Sequence, residues 1–212
     1  MSKNLLIFGD SYSTFKGFIP EGYLAYYSEN GRHETDVTAV NQTWWYQVVN
    51  EAKLNLLLNN SWSGSTICYT GYKNKDCSQT SSFIRRLRNL IDEGFFAENN
   101  IDKVFVFGGT NDSWCGAPLG EIKKDNWTND DLYNVLPAIY CFFDLLKNTL
   151  PKSEIYCLIN TGLKEEVAYS LKDAAQIYNI TPIVFDKIDK HCGHPTIEGM
   201  KDIKNTVLKA LK

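Results

Sequence analysis

The chain reads as an α/β protein built on a five-stranded parallel sheet, and two observations predict it. Five short apolar runs alternate with five longer helical stretches, the order that parallel strands joined by crossover helices produce. A length of 212 residues, 43% hydrophobic and 22% charged, is enough for one substantial core and leaves little room for a second, so residues 1–212 are expected to form one domain. Right-handed crossovers give the strand order 2-1-3-4-5 and bring the tips of the first three strands together on one edge.

Each element has its own signal. Asn4 to Phe8 is the first apolar strand. The helix from Thr43 to Ala52 opens on Trp44 and Trp45, and because neighbours on a helix point in different directions at least one of them packs inward. Leu54 to Asn59 is the second strand and Gln79 to Ile91 the next helix. The third strand, Lys103 to Phe107, is followed by a helix from Asp130 to Thr149, whose Asp130-Asp131 pair puts negative charge at the positive end of the dipole and beyond whose far end stands Pro151. Glu154 to Ile159, a helix over Leu163 to Tyr178, a strand over Thr181 to Phe185 and a helix over Thr196 to Leu211 complete five βα units. The longest irregular segments, residues 16–42 and 110–129, are expected to border the functional crevice, since loops of that length in a compact domain are usually functional.

Four junctions carry complementary chemistry. Ser11, in Gly9-Asp10-Ser11-Tyr12-Ser13, follows the first strand directly, where α/β sheets hold reacting groups, and is a candidate nucleophile. The alternative is that Asp10 and Ser11 only cap the next helical turn. Gly64, in Asn59-Asn60-Ser61-Trp62-Ser63-Gly64-Ser65, follows the second strand and offers a backbone amide that a substrate can approach closely. Asn111, in Gly108-Gly109-Thr110-Asn111-Asp112, follows the third and offers a side-chain amide, while His194, in Gly193-His194-Pro195-Thr196, is a candidate general base. Singly, Gly64 and Asn111 also read as turn residues and His194 as a surface residue before a helix opened by Pro195. Together the four are much less easily explained that way.

The set Ser11 in GDSYS, Gly64 in NNSWSGS, Asn111 in GGTND and His194 in GHPT resembles the four signature blocks of the SGNH hydrolases, the GDSL-type esterases, in the same order and across the whole chain. The resemblance implies a three-layer α/β/α, flavodoxin-like fold and hydrolysis of an ester or related acyl bond without a cofactor. Acyl transfer needs a base for the serine, here His194, and preorganised donors for the developing oxyanion: the amides of Ser11 and Gly64 and the side chain of Asn111. One position departs from the pattern. The family usually carries an Asp three residues before its histidine, and His191 stands there instead. A backbone carbonyl is therefore expected to orient His194, with Asp189 the first carboxylate to consider and Asp186 also nearby.

Other features bound the function. A net charge of −3 with scattered Lys and Arg gives no argument for nucleic acid or a membrane surface, and no apolar run approaches the roughly 20 residues of a membrane helix. The expected compartment is the cytoplasm, a secreted or periplasmic one staying open if a leader once preceded the chain. Six cysteines are expected to be reduced thiols, with Cys68 and Cys77 able to pair in an oxidising compartment. His191-Cys192-Gly193-His194 invites a zinc reading, but the full ligand set is missing and no metal is expected. Of the aromatics Tyr12, Trp44, Trp45, Trp62, Trp114 and Trp127, only Trp62 and Trp114 are singled out for the pocket, each within three residues of an oxyanion candidate. The expected substrate is a small acyl ester, acetyl in particular, on a polar or carbohydrate carrier. The alternatives are a lipase or thioesterase with a longer acyl pocket, or a catalytically silent carbohydrate-binding relative.

Overall fold

Alternate residues of each central strand are buried on opposite faces, as a sheet covered by helices on both sides requires. In the computed structural model, which describes residues 2–211, strands β1 (Asn4–Gly9), β2 (Asn55–Ser61), β3 (Lys103–Phe107), β4 (Glu154–Ile159) and β5 (Thr181–Val184) form a parallel sheet of order β2-β1-β3-β4-β5. Leu6, Phe8, Val104, Val106, Ile155 and Cys157 pack on one side with helices α2 (Phe83–Asp92), α5 (Val135–Thr149) and α6 (Glu165–Ile177). Leu5, Ile7, Phe105, Phe107, Tyr156 and Leu158 pack on the other with α1 (Trp44–Glu51) and α7 (Ile197–Ala210). The predicted α/β class and strand order are those observed.

Short elements complete the chain: α3 (Phe95–Glu98), α4 (Thr110–Trp114), and a two-stranded antiparallel ladder of β6 (Lys190–His191) and β7 (His194–Pro195). Among the described residues no helix is long and apolar enough to cross a membrane.

Two helices, α2 and α5, start four and five residues later than the sequence suggests. The Ser82 hydroxyl accepts the Arg85 amide at 3.2 Å and caps α2, so residues 79–81 belong to a turn ahead of it. Asp130 and Asp131 lie in a separate 3₁₀ turn, Asp130–Tyr133, because Asn134 is extended and the first amides of α5 donate backwards, from Val135 to the Pro118 carbonyl and from Leu136 to that of Leu119, both at 2.9 Å. Asp131 is engaged by Thr128 and Lys123 rather than by the α5 dipole. The segment 110–129 is also not wholly irregular, since α4 occupies its start.

Trp44 and Trp45 are both buried, which is more than helix geometry demanded. Trp44 packs on Phe105 and Phe107 of the sheet. Trp45 is covered instead by the long loop, through Phe18.

Candidate active site

The register places three of the four motif segments side by side. Gly9 pairs with Ser61 on one flank and with Phe107 on the other, so the chain leaves β1, β2 and β3 at the same level. Ser11 opens a 3₁₀ turn, Ser11–Ser13, capped by Asp10, whose carboxylate accepts the Tyr12 amide at 3.0 Å. The capping role therefore falls to Asp10, and the Ser11 hydroxyl takes no part in it. Burial drives the Asp10 carboxyl up to about 7, and its second oxygen has no hydrogen-bond partner among the described residues.

His194 reaches the same point from the far end of the chain. Its Nε2 lies 3.0 Å from the Ser11 Oγ. His194 directly follows a two-residue hairpin turn, Cys192 at φ +47° and Gly193 at φ +79°, the positive-φ pair that a tight right-twisted hairpin requires. That turn brings the Cys192 carbonyl to 3.3 Å from His194 Nδ1. A carbonyl only accepts, so Nδ1 carries the proton and Nε2 presents its lone pair to the serine hydroxyl. Asp189 is turned elsewhere: its exposed carboxylate accepts from the Thr196 hydroxyl, which caps α7. Asp186 has no hydrogen bond to the imidazole.

Aromatic packing holds the imidazole. The Tyr26 ring stacks on His194 at 3.6 Å with 6° between planes, and the Arg32 guanidinium lies over the Tyr26 ring at 4.8 Å. The Tyr12 hydroxyl donates to the Gly193 carbonyl at 2.5 Å and that of Tyr27 to Pro195 at 3.0 Å, fixing the hairpin. Burial holds the His194 pKa below its ordinary 6.5, partly offset by the Cys192 carbonyl.

The amides of Ser11 and Gly64 donate to no protein group among the described residues. Gly64 stands at φ +79° with open space where a side chain would begin, so conformation rather than crowding selects glycine. Asn111, buried in the first turn of α4, donates Nδ2 to the Ser65 carbonyl at 2.9 Å. The second N–H on that nitrogen has no acceptor among the described residues. The four positions thus present a hydroxyl against an imidazole nitrogen, two backbone amides and one side-chain N–H that have no protein acceptor among the described residues.

Asp112 and Arg86 are among the supporting residues that escaped the sequence reading. Asp112 accepts the Ile67 amide at 3.0 Å and that of Cys68 at 3.2 Å, pinning the chain just beyond Gly64. Arg86 is buried in α2 and donates to the carbonyls of Gly9, Asn60 and Ser81 and to the Ser65 hydroxyl, with its guanidinium 4.3 Å from the Phe83 ring. Burial lowers its pKa to about 10, so it stays charged. The signal for Arg86 was its helical spacing: it stands three residues after Phe83 and four before Leu90, on the apolar face.

Trp114 is 42% exposed beside His194, and Trp62 pairs with Tyr23 at 4.1 Å two residues before Gly64, whereas Tyr12, Trp44 and Trp45 are buried and Trp127 donates to the Lys123 carbonyl. Cys68 and Cys77, whose pairing the spacing raised, are free thiols directed at the carbonyls of Thr70 and Lys75.

A family model described as GDSL-like Lipase/Acylhydrolase matches residues 3–211. Two solved structures, of proposed GDSL-like lipases from Bacteroides ovatus and Bacteroides uniformis, are each 42% identical to this chain. The first superposes with a TM-score of 0.92 over 100% of this chain and 98% of its own, the second with 0.91 over 99% and 95%. An acetyl xylan esterase from Butyrivibrio proteoclasticus shares the fold at a TM-score of 0.62 and 14% identity, over 99% of this chain and 63% of its own. Among curated proteins none matches the chain.

Proposed function

The chain belongs to the GDSL-like lipase/acylhydrolase family and is a hydrolase of ester bonds, and from that premise we propose a serine esterase that removes small acyl groups, acetyl in particular, from a polar or carbohydrate carrier. The observation that carries the mechanism is the 3.0 Å approach of His194 Nε2 to the Ser11 hydroxyl. His194 takes the proton as the Ser11 oxygen bonds to the acyl carbon, and the negative charge that develops on the carbonyl oxygen is met by the amides of Ser11 and Gly64 and by Asn111 Nδ2. The intermediate collapses with transfer of that proton to the leaving alcohol. Water, deprotonated by His194, then releases the acid and regenerates the hydroxyl.

The carrier preference rests on the exposed Trp114 ring and the Tyr23–Trp62 pair flanking the pocket, flat apolar faces suited to sugar rings. The acetyl xylan esterase of the same fold lends it support as an analogy only. The test is labelling by a fluorophosphonate together with hydrolysis of p-nitrophenyl acetate and octanoate. Labelling and acetate hydrolysis are expected, both lost in Ser11→Ala. An unlabelled wild-type protein would mark a silent binder, and preference for octanoate a long acyl pocket.

A further inference from the structure

Tyr72 lies in the polar loop between Cys68 and Cys77, on no strand or long helix, yet its hydroxyl is 2.9 Å from Asn111 Oδ1. The direction of that bond is fixed by elimination. The Ser65 carbonyl can only accept, so the Asn111 amide must turn Nδ2 toward it, which leaves Oδ1 facing Tyr72. An amide oxygen can also only accept, so the phenol donates. Burial keeps that phenol above its ordinary range and therefore protonated at neutral pH.

The loop that carries Tyr72 is tightly held. Gly71 donates to the Lys75 carbonyl at 2.8 Å and Cys77 to that of Tyr69 at 2.7 Å, closing a hairpin whose tip places Lys73 and Asn74 at φ +57° and +56°. Thr70 donates to the Tyr133 carbonyl at 2.7 Å, and Tyr69 to that of Leu132 at 2.8 Å, anchoring the loop to the chain ahead of α5. A loop closed on itself and tied to its neighbour in this way is organised before any ligand arrives.

We propose that Tyr72 is a positioning residue for ester hydrolysis: its hydroxyl clamps the Asn111 side-chain amide so that the free N–H of Nδ2 points at the oxyanion. The inference rests on the reading of Asn111 as an oxyanion donor. With Ser65 alone the amide plane has one anchor and can swing about it; with Tyr72 it has two. Donation to Oδ1 also draws electron density from the amide and strengthens the N–H as a donor. The effect appears as charge develops on the substrate, so it falls on turnover rather than on substrate affinity.

Tyr72→Phe removes one oxygen from a residue 44% exposed, and the melting temperature serves as the folding control. With p-nitrophenyl acetate, kcat is expected to fall roughly three- to tenfold, the worth of one neutral hydrogen bond, with KM within about twofold. Asn111→Ala is expected to fall about 10² to 10³-fold. In the Asn111→Ala background the Tyr72 substitution should change nothing further, because its only target is gone. An unchanged kcat in Tyr72→Phe beside a crippled Asn111→Ala overturns the clamp, as does a further drop in the double variant or an effect on KM alone. Asn111→Ala within about fivefold of wild type would instead remove the oxyanion assignment beneath it.

Discussion

Replacing Asp189 by asparagine separates two accounts of how the imidazole is held. If a carboxylate completed the machinery, its neutralisation would cost about 10⁴ in kcat, the scale seen when a triad aspartate is changed to asparagine. The structure gives that carboxylate other work: it accepts from the Thr196 hydroxyl, at the base of the hairpin that carries His194, while Nδ1 donates to the Cys192 carbonyl at 3.3 Å. The side-chain oxygen of the asparagine in Asp189→Asn could still accept from Thr196. The loss is then the charge-assisted part of one exposed hydrogen bond, about 0.5–1 kcal/mol of stability, and less than about threefold in kcat.

The assay is p-nitrophenyl acetate hydrolysis by wild type and Asp189→Asn between about pH 5 and pH 8. The proposed base, His194, can take a proton only when neutral, so activity should be full above its pKa and lost as pH falls through it. Burial lowers that pKa from 6.5, and the acid limb of kcat/KM should therefore lie below 6.5 in both proteins. A carboxylate partner would favour the imidazolium and move the limb the other way. A drop of several hundredfold in Asp189→Asn, or an acid limb well above 6.5, would refute the carbonyl account.

Arg86→Leu should cost about 3–5 kcal/mol in denaturant unfolding, because the Gly9, Asn60 and Ser81 carbonyls and the Ser65 hydroxyl lose their shared donor; a loss under about 1 kcal/mol would show that they find other partners. Asp10→Asn should raise the melting temperature far more at about pH 8 than at about pH 4. The folded-state pKa of about 7 lies above the unfolded 3.8, so the buried carboxyl weakens the fold progressively as pH rises through that window, by roughly 3–4 kcal/mol in all, and a gain equal at both pH values would contradict this. Trp114→Ala should raise KM for an acetylated xylo-oligosaccharide roughly three- to tenfold and leave that for p-nitrophenyl acetate nearly unchanged, while equal effects on both would exclude a sugar platform.

The sheet was legible because its central strands are buried on both faces and read as continuous apolar runs, Val104-Phe105-Val106-Phe107 most plainly. The placement of Ser11, Gly64 and Asn111 followed, since strand ends in register leave the next residues no choice but to be neighbours. Helix starts were less legible. Asp130-Asp131 carries every mark of a helix N-terminus, and only the tertiary bonds from α5 to Pro118 and Leu119 move the true start to Val135. Tyr26 and Tyr72 were illegible for a related reason: both lie in irregular segments without periodicity, and each acts on a residue more than thirty positions away. Arg86 is the intermediate case, a charge on an apolar face whose purpose appears only when the carbonyl ends of β1 and β2 are seen beneath it.

The two halves of the pocket are held by different physics. The donor side is fixed by hydrogen bonds at the rigid end of the sheet, with Arg86 and Asp112 satisfying backbone groups that the strands leave behind. The imidazole side lies outside the sheet, on a two-residue turn, and a single 3.3 Å bond to a neutral carbonyl is too weak to orient a ring by itself. A carboxylate would orient the ring by charge but would also raise its pKa and need desolvation of its own. Here the orientation comes from the Tyr26 ring stacked at 3.6 Å and from the Tyr12 and Tyr27 hydroxyls that fix the turn from below. All three tyrosines flank or belong to the long loop after β1. That loop therefore acts as the third partner of the imidazole, and packing there substitutes for the charge that His191 cannot supply.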